Sequence, residues 1–301
     1  MDRKKRVSAH ASLFGTADLV RHSRCLVIVA HSCDEIIGAG GLLSRLREVT
    51  ILHVTGSPSG EHSPATALAN QNDHEARAKA CISALALANV SSDRVIEMGV
   101  TDIREPHSLA TLSREIAGFL QRFGPEIVLT HPYDGGHPDH DATAFATHAA
   151  MRLLQNNGFE PPALFEIALH PSRDGQKREL DFFPGSWRET TTFVLDQNTR
   201  NLKRRMFDCV DGHEGTLRGT TLSLERFRRA PNYDFSLAPN AGKPAYESFN
   251  SEMTGAQWQA LARKALADLF GDDTRNGLAR TRIDLIPRPL SWIEHSIHNH
   301  R

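Results

Sequence analysis

The chain alternates short runs of β-branched residues with longer helical stretches, and this alternation limits the possible folds more than any other feature. The expected strands are Cys25–Ala30, Thr50–Thr55, Arg94–Met98, Glu126–Thr130 and Ala163–Ile167, and the expected helices between them are Asp34–Glu48, Asn70–Leu87, Ser108–Phe123 and Asp141–Gln155. Such alternation is typical of parallel βαβ units. We therefore predict an α/β fold with a Rossmann-like, doubly wound, mostly parallel sheet. Because crossovers are right-handed, its expected strand order is 3-2-1-4-5.

The alternation weakens after about residue 170. The expected elements there are an edge strand over Thr191–Leu195, a helix over Gln197–Val210, an irregular segment over Phe227–Ser251 and a helix over Thr254–Leu269. We predict a Rossmann-like core over residues 1–170. An irregular α+β C-terminal extension over residues 171–301 is expected to pack on this core, within one domain overall, and to shape a substrate pocket.

Charge and composition exclude several classes of function. With 35 basic and 36 acidic residues the net charge is -1, so no overall field favours nucleic acid or an anionic membrane, and a small-molecule partner is expected. No stretch approaches the roughly 20 apolar residues of a transmembrane helix. The basic start, Met1–Arg6, leads into no apolar run, and so predicts no signal peptide. Four cysteines without a CxxC pair predict reduced thiols and a cytoplasmic protein.

Two short strings carry the candidate chemistry. His31-Ser-Cys-Asp34 follows the first expected strand, and His137-Pro-Asp-His140 follows the fourth. In the order 3-2-1-4-5 these strands are neighbours at the switch point, where open α/β sheets hold ligands. His31, Asp34 and His140 would then make the three-ligand set of a catalytic zinc site, which activates water and polarises a carbonyl. Fe²⁺ accepts the same ligands.

The remaining residues of the second string admit two interpretations. His137 is a candidate donor to an oxyanion if Asp139 holds its ring and favours the imidazolium. Alternatively, the string is a turn that leads into a helix capped by Asp139 or Asp141, and Asp34 complements a helix dipole. A cap does not require two histidines, and so the joint pattern favours the metal site.

Other motifs have the wrong spacing or an ordinary explanation. His74-Glu75 lacks the second histidine of HExxH, Gly56–Gly60 forms no nucleophile elbow, and Gly38, Gly40 and Gly41 do not form GxGxxG. Lys203–Arg205 and Arg226–Arg229 are candidates to bind a phosphate or carboxylate. Exposed helix charges are the common alternative for both.

Three strings together resemble a known enzyme family. They are Ala30-His-Ser-Cys-Asp-Glu35, Gly38-Ala-Gly-Gly41 and Thr130-His-Pro-Tyr-Asp-Gly-Gly-His-Pro-Asp-His140. They are similar to the PIG-L/LmbE-type zinc-dependent N-deacetylases, and the likeness runs from about Cys25 to Leu169. It implies hydrolysis of the N-acetyl group of an amino-sugar conjugate or a related small amide. It also implies zinc ligands His31, Asp34 and His140, oxyanion stabilisation by His137, orientation of His137 by Asp139, and sugar binding by Asp102.

One departure from the family bears on activity. The family string is His-Pro-Asp-Asp-Glu, whose first Asp is the general base, and here Cys33 occupies that position. Cys33 could act as the base, bind the metal itself, or be inert buried filler. The second hypothesis is therefore a catalytically weak or silent member of the family that keeps a metal and binds a sugar ligand.

Overall fold

The computed structural model describes residues 23–55, 64–100, 108–171, 180–183, 189–210, 222–239, 242–248 and 253–271. The elements, in chain order, are β1 Arg24–Val29, α1 Asp34–Leu43, β2 Glu48–Thr55, α2 Pro64–Leu87, β3 Val95–Val100, α3 Ser108–Phe123, β4 Ile127–Thr130, α4 Pro138–Asn156, β5 Ala163–Ile167, β6 His170–Pro171, β7 Leu180–Asp181, β8 Thr190–Val194, α5 Gln197–Val210, β9 Leu224–Arg229 and α6 Gly255–Phe270. Two short 3-10 turns lie at Ser92–Arg94 and Ala245–Ser248.

Seven strands form one mostly parallel sheet in the order β3-β2-β1-β4-β5-β9-β8. The first five strands are parallel, which confirms the predicted fold class and the order 3-2-1-4-5. Alternate residues of β1 point to opposite faces, yet Leu26, Val27, Ile28 and Val29 are all at most 1% exposed. Such two-sided burial explains why parallel strands appear in the sequence as continuous apolar runs.

The C-terminal half supplies two strands that extend this sheet. β9 pairs antiparallel with β5, and β8 pairs antiparallel with β9 at the sheet edge. The edge strand and the helix α5 confirm the predictions for residues 190–210. The prediction of an irregular segment from Phe227 onward is wrong for Phe227–Arg229, which belong to β9.

The prediction fails at β9 because buried ion pairs neutralise the strand's charges. Arg228 is 3% exposed, and its Nε lies 2.6 Å from Oε2 of Glu166 on β5. Glu225, at 1% exposure, pairs with Lys203 of α5 at 2.6 Å. The two cationic clusters were expected to be exposed helix charges or to bind an anion. Lys203 and Arg228 are buried, and so the exposed interpretation is wrong for them. Each of these cations instead binds a carboxylate of this chain.

The chain divides into two compact units. Unit 1 comprises residues 1–101, 126–130 and 163–230, and unit 2 comprises residues 102–125, 131–162 and 231–301. The sheet and the helices α1, α2 and α5 belong to unit 1. The helices α3, α4 and α6 belong to unit 2. The domain boundary expected near residue 170 stays a prediction.

In unit 1 one buried apolar cluster joins the sheet to its three helices. It contains Val27 and Val29 of β1, Ile36 of α1, Leu85 of α2 and Met206 of α5. Two glycines bring α1 close to the sheet. A Cβ on Gly38 would overlap Cγ2 of Ile167, and one on Gly41 would lie 2.7 Å from Leu195.

In unit 2 the three helices pack against one another, with α3 on α4 and α6 on both. Phe145 and Trp258 meet edge to face at 6.3 Å between ring centroids.

Within the described part of the chain, no helix is long and apolar enough to span a membrane.

Candidate active site

The strands that precede the two motif strings are neighbours in the sheet. β1 pairs in parallel with β4, and Ile28 lies opposite Thr130 at their carboxyl ends. The sheet order reverses direction at this pair, since β2 and β3 extend from β1 on one side and β5 from β4 on the other. The predicted switch point therefore exists, and both strings leave from it.

The first string is held by its own hydrogen bonds. The backbone N–H of His31 donates to Oδ2 of Asp34 at 2.9 Å, and Nδ1 of His31 lies 3.5 Å from the same oxygen. Their side chains are 17% and 13% exposed. The end of β2 fixes the end of β1, because Thr55 donates to the carbonyl of Ala30 from both its N–H and its hydroxyl. An imidazole and a carboxylate are thus adjacent and partly accessible.

Cys33 lies between them in a demanding conformation. It is the N-cap of α1 with φ of 82°, in the left-handed region, and its side chain is fully buried. Its carbonyl accepts from the amides of Ile36 and Ile37. The neighbouring Cys33, burial and the charge of Glu35 raise the pKa of the Cys81 thiol on α2 well above its usual value. The position that the resemblance gives to the general base is thus occupied by a buried thiol.

The second string opens helix α4, with His137 itself as the cap. Nδ1 of His137 accepts a hydrogen bond from the amide of Asp139 at 3.1 Å, and Pro138 occupies the first helical turn. The alternative interpretation expected Asp139 or Asp141 to be the cap. That expectation is wrong, because the cap is His137. Because the accepting nitrogen carries no proton, the imidazole hydrogen in this arrangement is on Nε2.

Asp141 supports the loop before the helix. Its Oδ1 accepts from the backbone amides of Asp134 and Gly135 at 3.2 and 3.0 Å. Burial and the nearby charge of Asp134 raise the pKa of Asp141 well above its usual value, and the two amide bonds oppose this. Gly135 has φ of +76°, and a Cβ there would lie 3.0 Å from Pro239 and Pro244.

Three imidazoles gather in this part of unit 2. The rings of His131 and His140 stack at 4.0 Å, and those of His137 and His140 lie 5.1 Å apart. His131 is fully buried. No role for His131 was predicted from the sequence, although its position directly after β4 was a usable signal.

Aromatic residues distant in the chain hold this loop in place. The ring of Tyr133 stacks on Trp258 of α6 at 5.0 Å, and Nε1 of Trp258 donates to the carbonyl of Pro138 at 3.3 Å. The hydroxyl of Tyr133 donates to the carbonyl of Leu237. Burial and the charge of Asp141 raise the pKa of Tyr133 far above its usual value. The region after residue 231 therefore stabilises the second string.

The comparison with protein families agrees with this arrangement. Residues 26–151 match the profile of the PIG-L family, described as GlcNAc-PI de-N-acetylase. The match is to a PIG-L domain over residues 26–151, and we call this range the PIG-L domain. The matched range contains both motif strings and the switch point. The departure at Cys33 therefore lies inside the PIG-L domain.

Two solved structures are similar in fold to a part of this chain that covers 70% of its length. The deacetylase of the antimicrobial A40926 pseudoaglycone is 21% identical, with a TM-score of 0.52, over 70% of this chain and 98% of its own. A deacetylase of the teicoplanin biosynthesis pathway is 18% identical, with a TM-score of 0.52, over 70% of this chain and 100% of its own. No curated protein matches the chain significantly.

The donor types of the PIG-L domain suit a divalent transition metal. His31 and Asp34 place an imidazole nitrogen and a carboxylate oxygen 3.5 Å apart, close to the roughly 3.3 Å edge of a tetrahedral zinc site. His140 offers a second imidazole. Asp102, the expected sugar-binding residue, lies outside the described residues.

Proposed function

We propose that the protein is a metal-dependent hydrolase that removes the N-acetyl group from an amino-sugar conjugate or a related small amide. The observation that carries the proposal is the origin of both strings of the PIG-L domain at the carboxyl ends of the adjacent strands β1 and β4. The family description, a de-N-acetylase of an N-acetylglucosamine lipid, supports the reaction class. The four free cysteines support a reducing, cytoplasmic setting.

We assign His31, Asp34 and His140 as the metal ligands. Two neutral imidazoles and one carboxylate are the donor set of many catalytic zinc sites, and Fe²⁺ is the alternative ion. When bound, the ion would supply a nucleophilic water near neutral pH and polarise the amide carbonyl. The hydrogen bond from the His31 amide to Asp34 fixes the carboxylate before any ion arrives.

We assign His137 as the residue that stabilises the oxyanion. Because Nδ1 accepts from the amide of Asp139, the proton of the neutral His137 ring is on Nε2, which would donate it in a hydrogen bond to the developing charge. The resemblance implies that Asp139 orients the His137 ring. The hydrogen bond from the Asp139 amide to Nδ1 of His137 is one contact that would do so. We assign Asp102 to the sugar on the resemblance alone.

A catalytically silent relative that binds a metal and a sugar is the second candidate. The complete burial of Cys33 is the observation that favours it. A general base needs access to the attacking water, and a fully buried thiol is poorly suited to that task.

Acetate release tests the proposed reaction. The purified protein, loaded with Zn²⁺ or Fe²⁺, should release acetate from N-acetylglucosaminides, and His140→Ala should abolish this release. His170→Ala, which removes a partly exposed histidine on β6, is the matched control and should retain activity. Bound metal without acetate release from any N-acetylated amino sugar would favour the silent relative.

A further inference from the structure

Unit 1 contains a second group of potential metal ligands that the proposed reaction does not use. Glu35 from α1, His53 from β2 and Cys81 from α2 are 0%, 2% and 1% exposed. Each offers one donor atom, and these atoms all lie within 4.8 Å of one another. Three elements of one unit therefore direct a carboxylate, an imidazole and a thiol to one buried point.

The individual contacts approach the geometry of a small ion site. Nε2 of His53 lies 3.2 Å from Oε2 of Glu35, and Sγ of Cys81 lies 3.1 Å from Oε1 of Glu35. Donor atoms around tetrahedral zinc are about 3.3–3.8 Å apart, given bonds of roughly 2.0–2.3 Å. Only small shifts would bring these atoms to metal-binding distances.

The group is also incompletely satisfied without an ion. Nδ1 and Nε2 of His53 and Oε2 of Glu35 make no hydrogen bond of good geometry among the described residues. Buried polar atoms of this kind cost free energy and require an explanation. A coordinated ion would engage both Nε2 and Oε2.

We propose that Glu35, His53 and Cys81 form a second, structural zinc site, separate from the ligand set His31, Asp34 and His140. Nε2, Sγ and a bidentate Glu35 carboxylate would close the coordination of the ion, with the narrow carboxylate bite departing from a regular tetrahedron. Thiolate and imidazole ligands select zinc over magnesium or calcium. Zinc with one carboxylate, one thiolate and a neutral imidazole has no net charge, as a buried location requires.

The competing explanation is a metal-free network in which protonated His53 pairs with Glu35 and the Cys81 thiol donates to it. Burial lowers the pKa of His53, but the nearby negative charge of Glu35 outweighs this and raises it. This network is also neutral, and so charge balance does not separate the two states. Ligand spectroscopy does, because only the metal site contains a sulfur–metal bond.

Cobalt substitution tests the proposal on the full chain. Protein produced in zinc-free medium with cobalt should show a thiolate-to-cobalt charge-transfer band in the near ultraviolet. The band should persist in His140→Ala and disappear in Cys81→Ser, which keeps a hydroxyl donor for Glu35. Cys25→Ser, which alters another buried thiol of unit 1, is the matched control and should keep the band.

Other outcomes overturn the proposal. A band lost in Cys33→Ser but kept in Cys81→Ser would show that Cys33 ligates the proposed catalytic metal. Absence of any band in the cobalt-grown protein would leave the hydrogen-bonded network as the explanation. If Cys81→Ser does not fold, as judged by circular dichroism, Glu35→Gln supplies the same test.

Zinc content separates this proposal from the proposed function. If both hold, Cys81→Ser and His140→Ala should each lose one equivalent of zinc, and the double variant should lose both. A loss with Cys81→Ser alone would support the buried site while the catalytic assignment fails. A loss with His140→Ala alone would support the catalytic assignment and exclude the buried site.

Discussion

Cys33 combines three properties that rarely occur in one residue. Its backbone is in the left-handed region and its side chain is buried, and the resemblance to the PIG-L/LmbE-type deacetylases places it where that family has its general base. A residue with a Cβ pays roughly 1–2 kcal/mol for this conformation, and aspartate adopts it more readily than most. The backbone here therefore suits the residue that the family has and this chain lacks.

We expect Cys33→Asp to raise acetate release by about two to four orders of magnitude. A carboxylate at this position restores a proton acceptor of the kind that contributes this much to general base catalysis. The measurement is the turnover number on an N-acetylglucosaminide at fixed metal content. Cys33→Ser, of similar size but without a carboxylate, should show no gain. An unchanged rate in Cys33→Asp would mean that the base lies elsewhere.

His148 on α4 is a partly exposed histidine whose ionisation opposes folding. Its ring lies 5.2 and 5.4 Å from those of Tyr233 and Phe235, and burial lowers its pKa from 6.5 to about 4. Between these values the unfolded chain binds a proton that the folded chain does not. Stability contributed by neutral His148 is therefore present above about pH 6.5 and is lost as the pH falls toward 4.

We expect His148→Leu to flatten this part of the stability profile. The wild type should lose at most about 3 kcal/mol more than the variant between pH 7 and pH 4. Denaturant unfolding at several pH values measures the difference. Parallel profiles for the two proteins would show that His148 titrates normally in the folded state.

At the scale of elements, the interior of unit 1 contains a charged link between α5, β9 and α1. Nζ of Lys203 donates to Glu225 and, at 2.8 Å, to the carbonyl of Ile37. Glu225 also accepts from the amides of Gly41 and Leu42. The C-terminal half of the chain thus binds the backbone of the helix that begins at Asp34.

We expect Lys203→Met to destabilise the protein by about 3–5 kcal/mol, because it leaves the Glu225 carboxylate buried without a counter-charge. Combining it with Glu225→Gln should recover part of the loss. The measurement is the free energy of unfolding in denaturant. Arg204→Met, at the exposed neighbouring position, is the control and should change stability by less than about 0.5 kcal/mol. An equal effect of the two single substitutions would contradict a special role for Lys203.

Elements with a regular apolar pattern were predictable from the sequence. Elements that depend on pairing between distant segments were less predictable. β5, α3 and α5 have the predicted boundaries, since local apolar patterns and end signals define them. α1 was expected to reach Glu48 but ends at Leu43, because Glu48 and Val49 pair with β1 instead. β9 was missed because its ion-pair partners Glu166 and Lys203 are far away in the sequence.

At the scale of the whole molecule, metal binding should be measurable as stability. An ion bound only by the folded state at a thousandfold excess over its Kd contributes about 4 kcal/mol. We therefore expect removal of metal by a strong chelator to lower Tm by at least about 5 °C, and added zinc to restore it.

The variant controls assign this stability to a site. His140→Ala combined with Cys81→Ser should have a Tm that the chelator does not change. An insensitive wild type would show that folding involves no metal at either site.

The sequence predicted the sheet order and the switch point because apolar strand runs and chain order determine them. It could not predict that His137 caps its own helix, that His131 stacks on His140, or that Trp258 supports the loop. Those contacts depend on how distant segments pack. The roles of His31, Asp34, His137, Asp139 and His140 stay predictions, and Asp102 lies outside the described residues.

The glycines of α1 have a consequence for how this protein could change in evolution. The helix axis can approach β5 and the end of β8 only because Gly38 and Gly41 lack a methyl group. The same helix begins at Asp34, and so its distance from the sheet sets the depth of a proposed ligand. Selection for catalysis would then act on these two positions as strictly as on a metal ligand, although neither glycine is a proposed ligand or catalytic residue. Random mutagenesis screened for activity should find Gly38 and Gly41 almost immutable.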